Sequence, residues 1–171
     1  SCTVGQTANV TVTVTDQQGY PALDGTPVLF SLGPAGSITP AVGFTAAGIA
    51  TATLSSQVAT TVTVTATVGT DFSHASVVFT PAGPFNLSVT IVPDRLPAGG
   101  ARATITACVT DRYGNPVADG TRVDFYVEDS VKGTISPPFG PTAQGCVTAT
   151  VTSGQILGPR RIFAICSAVA S

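Results

Sequence analysis

"TDQQGYPALDGTPVLF" occupies residues 15–30, and "TDRYGNPVADGTRVDF" occupies residues 110–125. Both are written on the skeleton TDxxGxPxxDGTxVxF. The match continues downstream. "GSITP" (36–40) answers to "GTISP" (133–137), and "GIATATL" (48–54) to "GCVTATV" (145–151). A repeat of about 95 residues is too long for a solenoid blade and is the size of a small domain. The chain is therefore expected to hold two domains, residues 1–83 and 84–171, joined through the Pro/Gly-rich "TPAGPFN" at 80–86.

The repeated unit reads as β structure. "ANVTVTVTD" (8–16) alternates strictly, with Val10, Val12 and Val14 on one side and Thr11, Thr13 and Thr15 on the other. A period of two is the mark of a half-buried strand. "TVTVTATV" (61–68) repeats the pattern, and no segment carries a 3.6-residue apolar period over helical length. Gly, Pro, Asp and Asn punctuate the strands at the spacing of turns. Short alternating strands with regular turns predict an all-β sandwich in each half.

Composition excludes several classes. Charged residues are 9% of the chain and the net charge is -2, which leaves no basic stripe for nucleic acid. Between Gly25 and Thr70 there is no charge at all, but Gly, Pro, Ser and Thr interrupt that stretch too often for a membrane-spanning helix. Four cysteines (Cys2, Cys108, Cys146, Cys166) and the single His74 show no zinc-ligand spacing. A Thr-rich, Lys-poor chain with scattered cysteines reads as secreted, where disulfides persist. No nucleophile, paired acid or metal set is visible, so neither an enzyme nor a cofactor is expected. His74 has no Ser or Cys motif beside it. Asp24 and Asp119 each stand alone in a DG turn, whereas calcium needs six or more oxygens. Glu128, Asp129 and Lys132 read as a solvated loop, Arg160-Arg161 as a solvated pair, and Tyr20 and Tyr113 as turn residues. The sequons at Asn9 and Asn86 are of the kind that Thr-rich chains produce by chance.

The order VTVTVTD–xxGxPxxDGTxVxF–GxIxP–GxATATL resembles the group-one bacterial immunoglobulin-like domain of invasin- and intimin-type surface proteins. The resemblance covers both halves, most clearly residues 10–54 and 105–151. It implies two tandem immunoglobulin-like Greek-key sandwiches, an extracellular or cell-surface location and no catalysis. The cysteines of the second half depart from the family's usual pattern. In immunoglobulin lettering the second half opens with an A strand, "FNLSVTIVP" (85–93), that the first half lacks. The first half closes with a G strand, "HASVVFTP" (74–81), that the second half lacks. Either the chain is an excerpt of a longer repeat array or neighbouring subunits supply the missing strands. The outward positions carry Thr and Ser in place of charges, and unguarded edges associate. The expectation is a structural repeat of a filament or stalk whose partners are copies of itself or neighbouring repeats. The alternative is an adhesin module that binds a surface ligand.

Two disulfides are predicted. Cys108 is outward on its strand by parity and Cys146 precedes the inward Val147, so the two are expected to pair across the outer face of one sheet. A core bond from Cys108 to Cys166 is the competitor. Cys2 and Cys166 are expected to meet at the junction between the domains, within one chain or between chains.

Overall fold

The computed structural model describes residues 1–128, 130, 133–156 and 161–166. These residues form strands and turns throughout. The chain divides into two compact units, Ser1–Pro81 and Ala82–Ser171.

The first unit contains β1 (Cys2–Thr3), β2 (Thr7–Thr13), β3 (Pro27–Leu32), β4 (Ser37–Thr39), β5 (Val42–Phe44), β6 (Ile49–Ser55), β7 (Thr61–Val68) and β8 (Asp71–Thr80). They make a five-stranded sheet ordered β1-β8-β7-β3-β5 and a three-stranded sheet ordered β2-β6-β4. Alternation sorts the side chains. Val62, Val64 and Ala66 of β7 are buried while Thr61 and Thr63 between them are exposed. Val28, Phe30, Ala50, Ala52, Leu54 and Phe79 complete the core.

The second unit contains β9 (Asn86–Val92), β10 (Arg102–Thr110), β11 (Arg122–Val127), β12 (Gly133–Ser136), β13 (Phe139–Pro141), β14 (Cys146–Ser153) and β15 (Ile162–Cys166). One sheet is ordered β12-β14-β10-β9 and the other β13-β11-β15. Ile105, Ala107, Val109, Val117, Val123, Phe125, Ala149 and Val151 form its core. Strands β10, β11, β12, β13, β14 and β15 repeat β2, β3, β4, β5, β6 and β7 in pairing and direction. Each unit is therefore an immunoglobulin-like sandwich.

The repeated DGT motif has a local cause. Asp24 Oδ1 accepts a hydrogen bond from the Ala47 amide, and Asp119 Oδ1 accepts one from the Gln144 amide, both at 2.6 Å. Among the described residues, Ala47 and Gln144 are the two non-glycine residues with positive φ, 49° and 51°. The carboxylate thus holds an unfavourable backbone conformation in the neighbouring turn. Gly25 and Gly120 donate to the carbonyls of Thr45 and Thr142 in the same turns. The glycines that follow, Gly48 and Gly145, have φ of 75° and 77°. A Cβ there would stand 2.8 Å from the Cβ of Pro21 or Pro116. The proline and glycine of each repeat are therefore one packed contact, and the sentence is written twice because the same joint is built twice.

Several expectations change. Val10, Val12 and Val14, which alternation turns toward the core, are only half-buried, because among the described residues only β6 pairs with β2. Cys2 lies on β1, which pairs in parallel with β8 through Cys2–Phe79 and Thr3–Thr80. Asp129, Lys132, Arg160 and the chain end beyond Cys166 lie outside the described residues.

Candidate functional site

The outer face of the sheet β13-β11-β15 gathers the most distinctive surface of the second unit. On β11, Val123 and Phe125 point into the core, so Arg122, Asp124 and Tyr126 point outward. Register places Phe139 and Ile165 on either side of Asp124, and Phe163 opposite Tyr126. Residues directly opposite share a face, so all six side chains lie on one surface. Tyr126, Phe139, Phe163 and Ile165 are each about half exposed, at 51%, 48%, 47% and 52%.

A charged pair sits beside these rings. Arg122 Nη2 donates to Asp124 Oδ1 at 2.6 Å, and Nε reaches both carboxylate oxygens at 3.1 Å. The hydrogen bond from Arg122 holds the Asp124 carboxyl below its ordinary pKa, and the same bond raises that of Arg122. The guanidinium carbon also lies 3.9 Å from the centroid of the Phe139 ring, a cation–π contact. The guanidinium is thus fixed flat against the sheet. The face can dock a flat partner through ring and aliphatic contacts, with one oriented ion pair at its edge.

The first unit presents another chemistry at the same positions. Register assigns Pro27, Leu29 and Ser31 to the places of Arg122, Asp124 and Tyr126. Val42 stands for Phe139, and Thr65 and Thr67 for Phe163 and Ile165. No charge appears among them.

The opposite sheet of the second unit carries the disulfide. Cys108 and Cys146 are directly opposite in register and bonded, with α-carbons 4.1 Å apart. Both are half-buried; Thr106 and Thr110 beside Cys108 are half-buried too, and Thr148 beside Cys146 is exposed. The bond is thus on the outside of the sheet, as parity requires. Cys166 pairs with the buried Val123 in register and packs against the core. It therefore points away from the face that holds Cys108, which disfavours the competing core bond. Cys2 and Cys166, expected to meet within one chain or between chains, are free thiols in the single chain. They belong to different units. Burial pushes the Cys166 thiol pKa up, which keeps it protonated and unreactive. It lines a cleft of 290 Å³ with Pro84, Phe85, Leu87 and Val109.

Sequence reading missed the aromatic face. Its rings lie on three strands far apart in the chain. The available signal was parity: Tyr126 and Phe163 each alternate with core residues. The remaining polar residues settle into local roles. His74 is exposed on β8 opposite Thr65. No group of three or more potential metal ligands occurs among the described residues. No helix among them is long and apolar enough to cross a membrane.

The fold is that of the immunoglobulin-like domains of invasin- and intimin-type surface proteins. FdeC, an Escherichia coli adhesin, matches with a TM-score of 0.74 at 22% identity, over 97% of this chain and 55% of that chain. Invasin, a bacterial integrin-binding protein, matches with a TM-score of 0.50 at 22% identity, over 97% of this chain and 34% of that chain. The chain thus spans about half of the first structure and a third of the second. No protein-family model and no curated protein matches it.

Proposed function

We propose that this chain is a non-catalytic module of an extracellular filament or a cell-surface stalk of the adhesin type, and that it contacts copies of itself or neighbouring repeats. The observation that carries the reading is the weakly charged outer surface. Soluble sandwiches guard their sheet faces and edges with charge. Here the outward positions hold threonines together with Leu29, Val42, Phe44 and Phe72 in the first unit, and Tyr126, Phe139, Phe163 and Ile165 in the second. Such faces are at home where other copies or repeats cover them. Sedimentation of the full chain over a wide concentration range tests this. Association that weakens in a Tyr126→Lys/Phe163→Lys variant is the expected result. A chain that stays monomeric at millimolar concentration removes the self-contact.

A second reading has its own support. The Arg122–Asp124 fork over Phe139 is a fixed, oriented group of the kind that recognises a ligand. An adhesin module would stay monomeric in sedimentation, yet lose adherence to a target surface when Arg122→Ala is introduced.

A further inference from the structure

The segment that leads into β9 is tied down at two consecutive residues, the last of β10 and the one after it. The Phe85 amide donates to the Thr110 carbonyl at 2.9 Å. The Ala82 amide donates to Asp111 Oδ2 at 3.0 Å. Gly83 and Pro84 span the interval. Composition alone marks "TPAGPFN" (80–86) as a loose loop, because Pro and Gly interrupt every regular element. The two bonds make its later part belong to the second unit, which begins at Ala82.

The two oxygens of Asp111 have separate partners. Oδ1 accepts from the amides of Tyr113 and Asn115, two and four residues on. The first repeat builds the same turn, where Asp16 Oδ1 accepts from Gln18 and Tyr20 at the same offsets. One oxygen is therefore enough to close the turn. Oδ2 takes the Ala82 amide and the Asn115 side chain, both at 3.0 Å. Asn115 Nδ2 also reaches Oδ1, at 3.2 Å. Bridging both oxygens, it sets the plane of the carboxylate and aims Oδ2. The first repeat has Tyr20 at this position, a side chain with no amide to offer. Asp111 and Asn115 are both buried, and hydrogen bonds in such a low-dielectric setting are stronger than in water.

We infer that Asp111, oriented by Asn115, is a lock that fixes residues 82–85 to the second unit and shields them from proteolysis. Exposed loops of small residues are the preferred sites of nicking, and burial and hydrogen bonding of the backbone decide whether they are cut. Ala82-Gly83-Pro84 fits that description by composition. It is withdrawn because the amides on both sides of Gly83-Pro84 are bonded into the unit. The inference concerns the second unit alone and does not depend on the surface reading.

Amide hydrogen exchange of the full chain, followed residue by residue, tests the lock. The Ala82 and Phe85 amides should exchange more slowly than that of exposed Gly83, by about tenfold or more. Asp111→Ser keeps one short oxygen for the turn and removes the one that reaches Ala82. In that variant Ala82 should exchange as fast as Gly83, while Tyr113 stays slower. Asn115→Ala removes the brace and leaves the carboxylate, so Ala82 should fall between these two rates. Limited digestion with a protease of broad specificity, its cuts mapped by mass spectrometry, is the second readout. Cleavage within residues 82–85 should be slow in the unaltered chain and fast in Asp111→Ser. Ala82 exchanging as fast as Gly83 in the unaltered chain overturns the lock, however the variants fold. So does an Ala82 that stays slow in Asp111→Ser, or equal cleavage of the segment in both chains.

Discussion

Strands β2 and β10 are one strand in two settings. Ala8, Val10, Val12 and Val14 correspond to Ala103, Ile105, Ala107 and Val109. The first four are half-buried and the second four buried. Composition does not explain the difference, since both sets alternate apolar residues with Thr. The neighbour does. β10 lies between β14 and β9, whereas among the described residues β2 has β6 alone beside it. The reverse holds on the other sheets. β7 lies between β3 and β8 and buries Val62, Val64 and Ala66. Its counterpart β15 pairs with β11 alone among the described residues and leaves Ile162 and Ala164 half-buried. Burial in a sandwich is thus a property of the strand's neighbours as much as of its own pattern.

The sharpest way to break this comparison is to place a charge at the paired positions. Ile105→Asp would bury an unpaired carboxylate, and the second unit is expected to lose about 4 kcal/mol or to unfold. Val10→Asp lets its carboxylate reach water and should cost the first unit about 1–2 kcal/mol. Urea unfolding, read for each unit by hydrogen exchange, gives both values. Equal losses would mean that the open edge of β2 has no energetic meaning.

The disulfide divides the units next. Cys108 and Cys146 are separated by 38 residues, and a loop of that length stabilises by about 4 kcal/mol on the chain-entropy account. Cys108→Ser with Cys146→Ser should lower the unfolding midpoint of the second unit and leave the first unchanged. The same register exists in the first unit, where Thr13 stands opposite Ile49. Thr13→Cys with Ile49→Cys should form a bond there and raise that unit's midpoint. Failure to oxidise would show that the two registers differ in solution.

The aspartates that open the two repeats come third. Asp16 is exposed and accepts from the amides of Gln18 and Tyr20. Asp111 is 2% exposed. It accepts from the amides of Ala82, Tyr113 and Asn115 and from the Asn115 side chain. Burial alone would raise its pKa. The bonds from Asn115, Ala82 and Tyr113 outweigh it and hold the carboxyl below the ordinary 3.8. The stabilisation is therefore complete above pH 3.8 and is lost as pH falls through the lower, folded value. Asp111→Ala should cost about 2–3 kcal/mol by leaving buried donors unmet, and Asp16→Ala about 0.5–1 kcal/mol. Acid titration of the second unit should lose part of its slope in Asp111→Asn. An unchanged slope would assign the acid sensitivity elsewhere.

The smallest effect on stability is expected at the aromatic face. Tyr126→Ser or Phe163→Thr, which copy Ser31 and Thr65 of the first unit, should change the second unit by about 0.5 kcal/mol or less. Their effect should appear in association or adherence instead. A large loss of stability would mean that the rings serve the fold.

Much of the fold was legible because alternation and turn chemistry act locally. The strands around Val62, Ile105 and Ala149 follow from period two, and the turns from Asp-Gly and Pro at fixed offsets. The Cys108–Cys146 register followed from parity and strand order. Other features depend on which strands meet, and the chain does not write that locally. The half-burial of Val10, the two residues of β1 against β8, and the convergence of Tyr126, Phe139 and Phe163 each need strands distant in sequence. Asp16 and Asp111 open near-identical motifs, yet only the second is buried. The Ala82 amide that reaches it arrives from before the repeat begins.

The position of Cys108–Cys146 has a mechanical consequence. In the proposed stalk role the chain is pulled along its length, and a yielding sandwich lengthens by the contour of its unravelled chain. The chain from Cys108 to Cys146, a sequence separation of 38, would contribute about 130 Å at full extension. The covalent crosslink withholds that length from any pull applied outside it. Under tension the second unit can give up only its flanking strands, while the first can pay out its whole chain. A single stretched molecule should show two steps of unequal length, and adding a reductant should lengthen the shorter one.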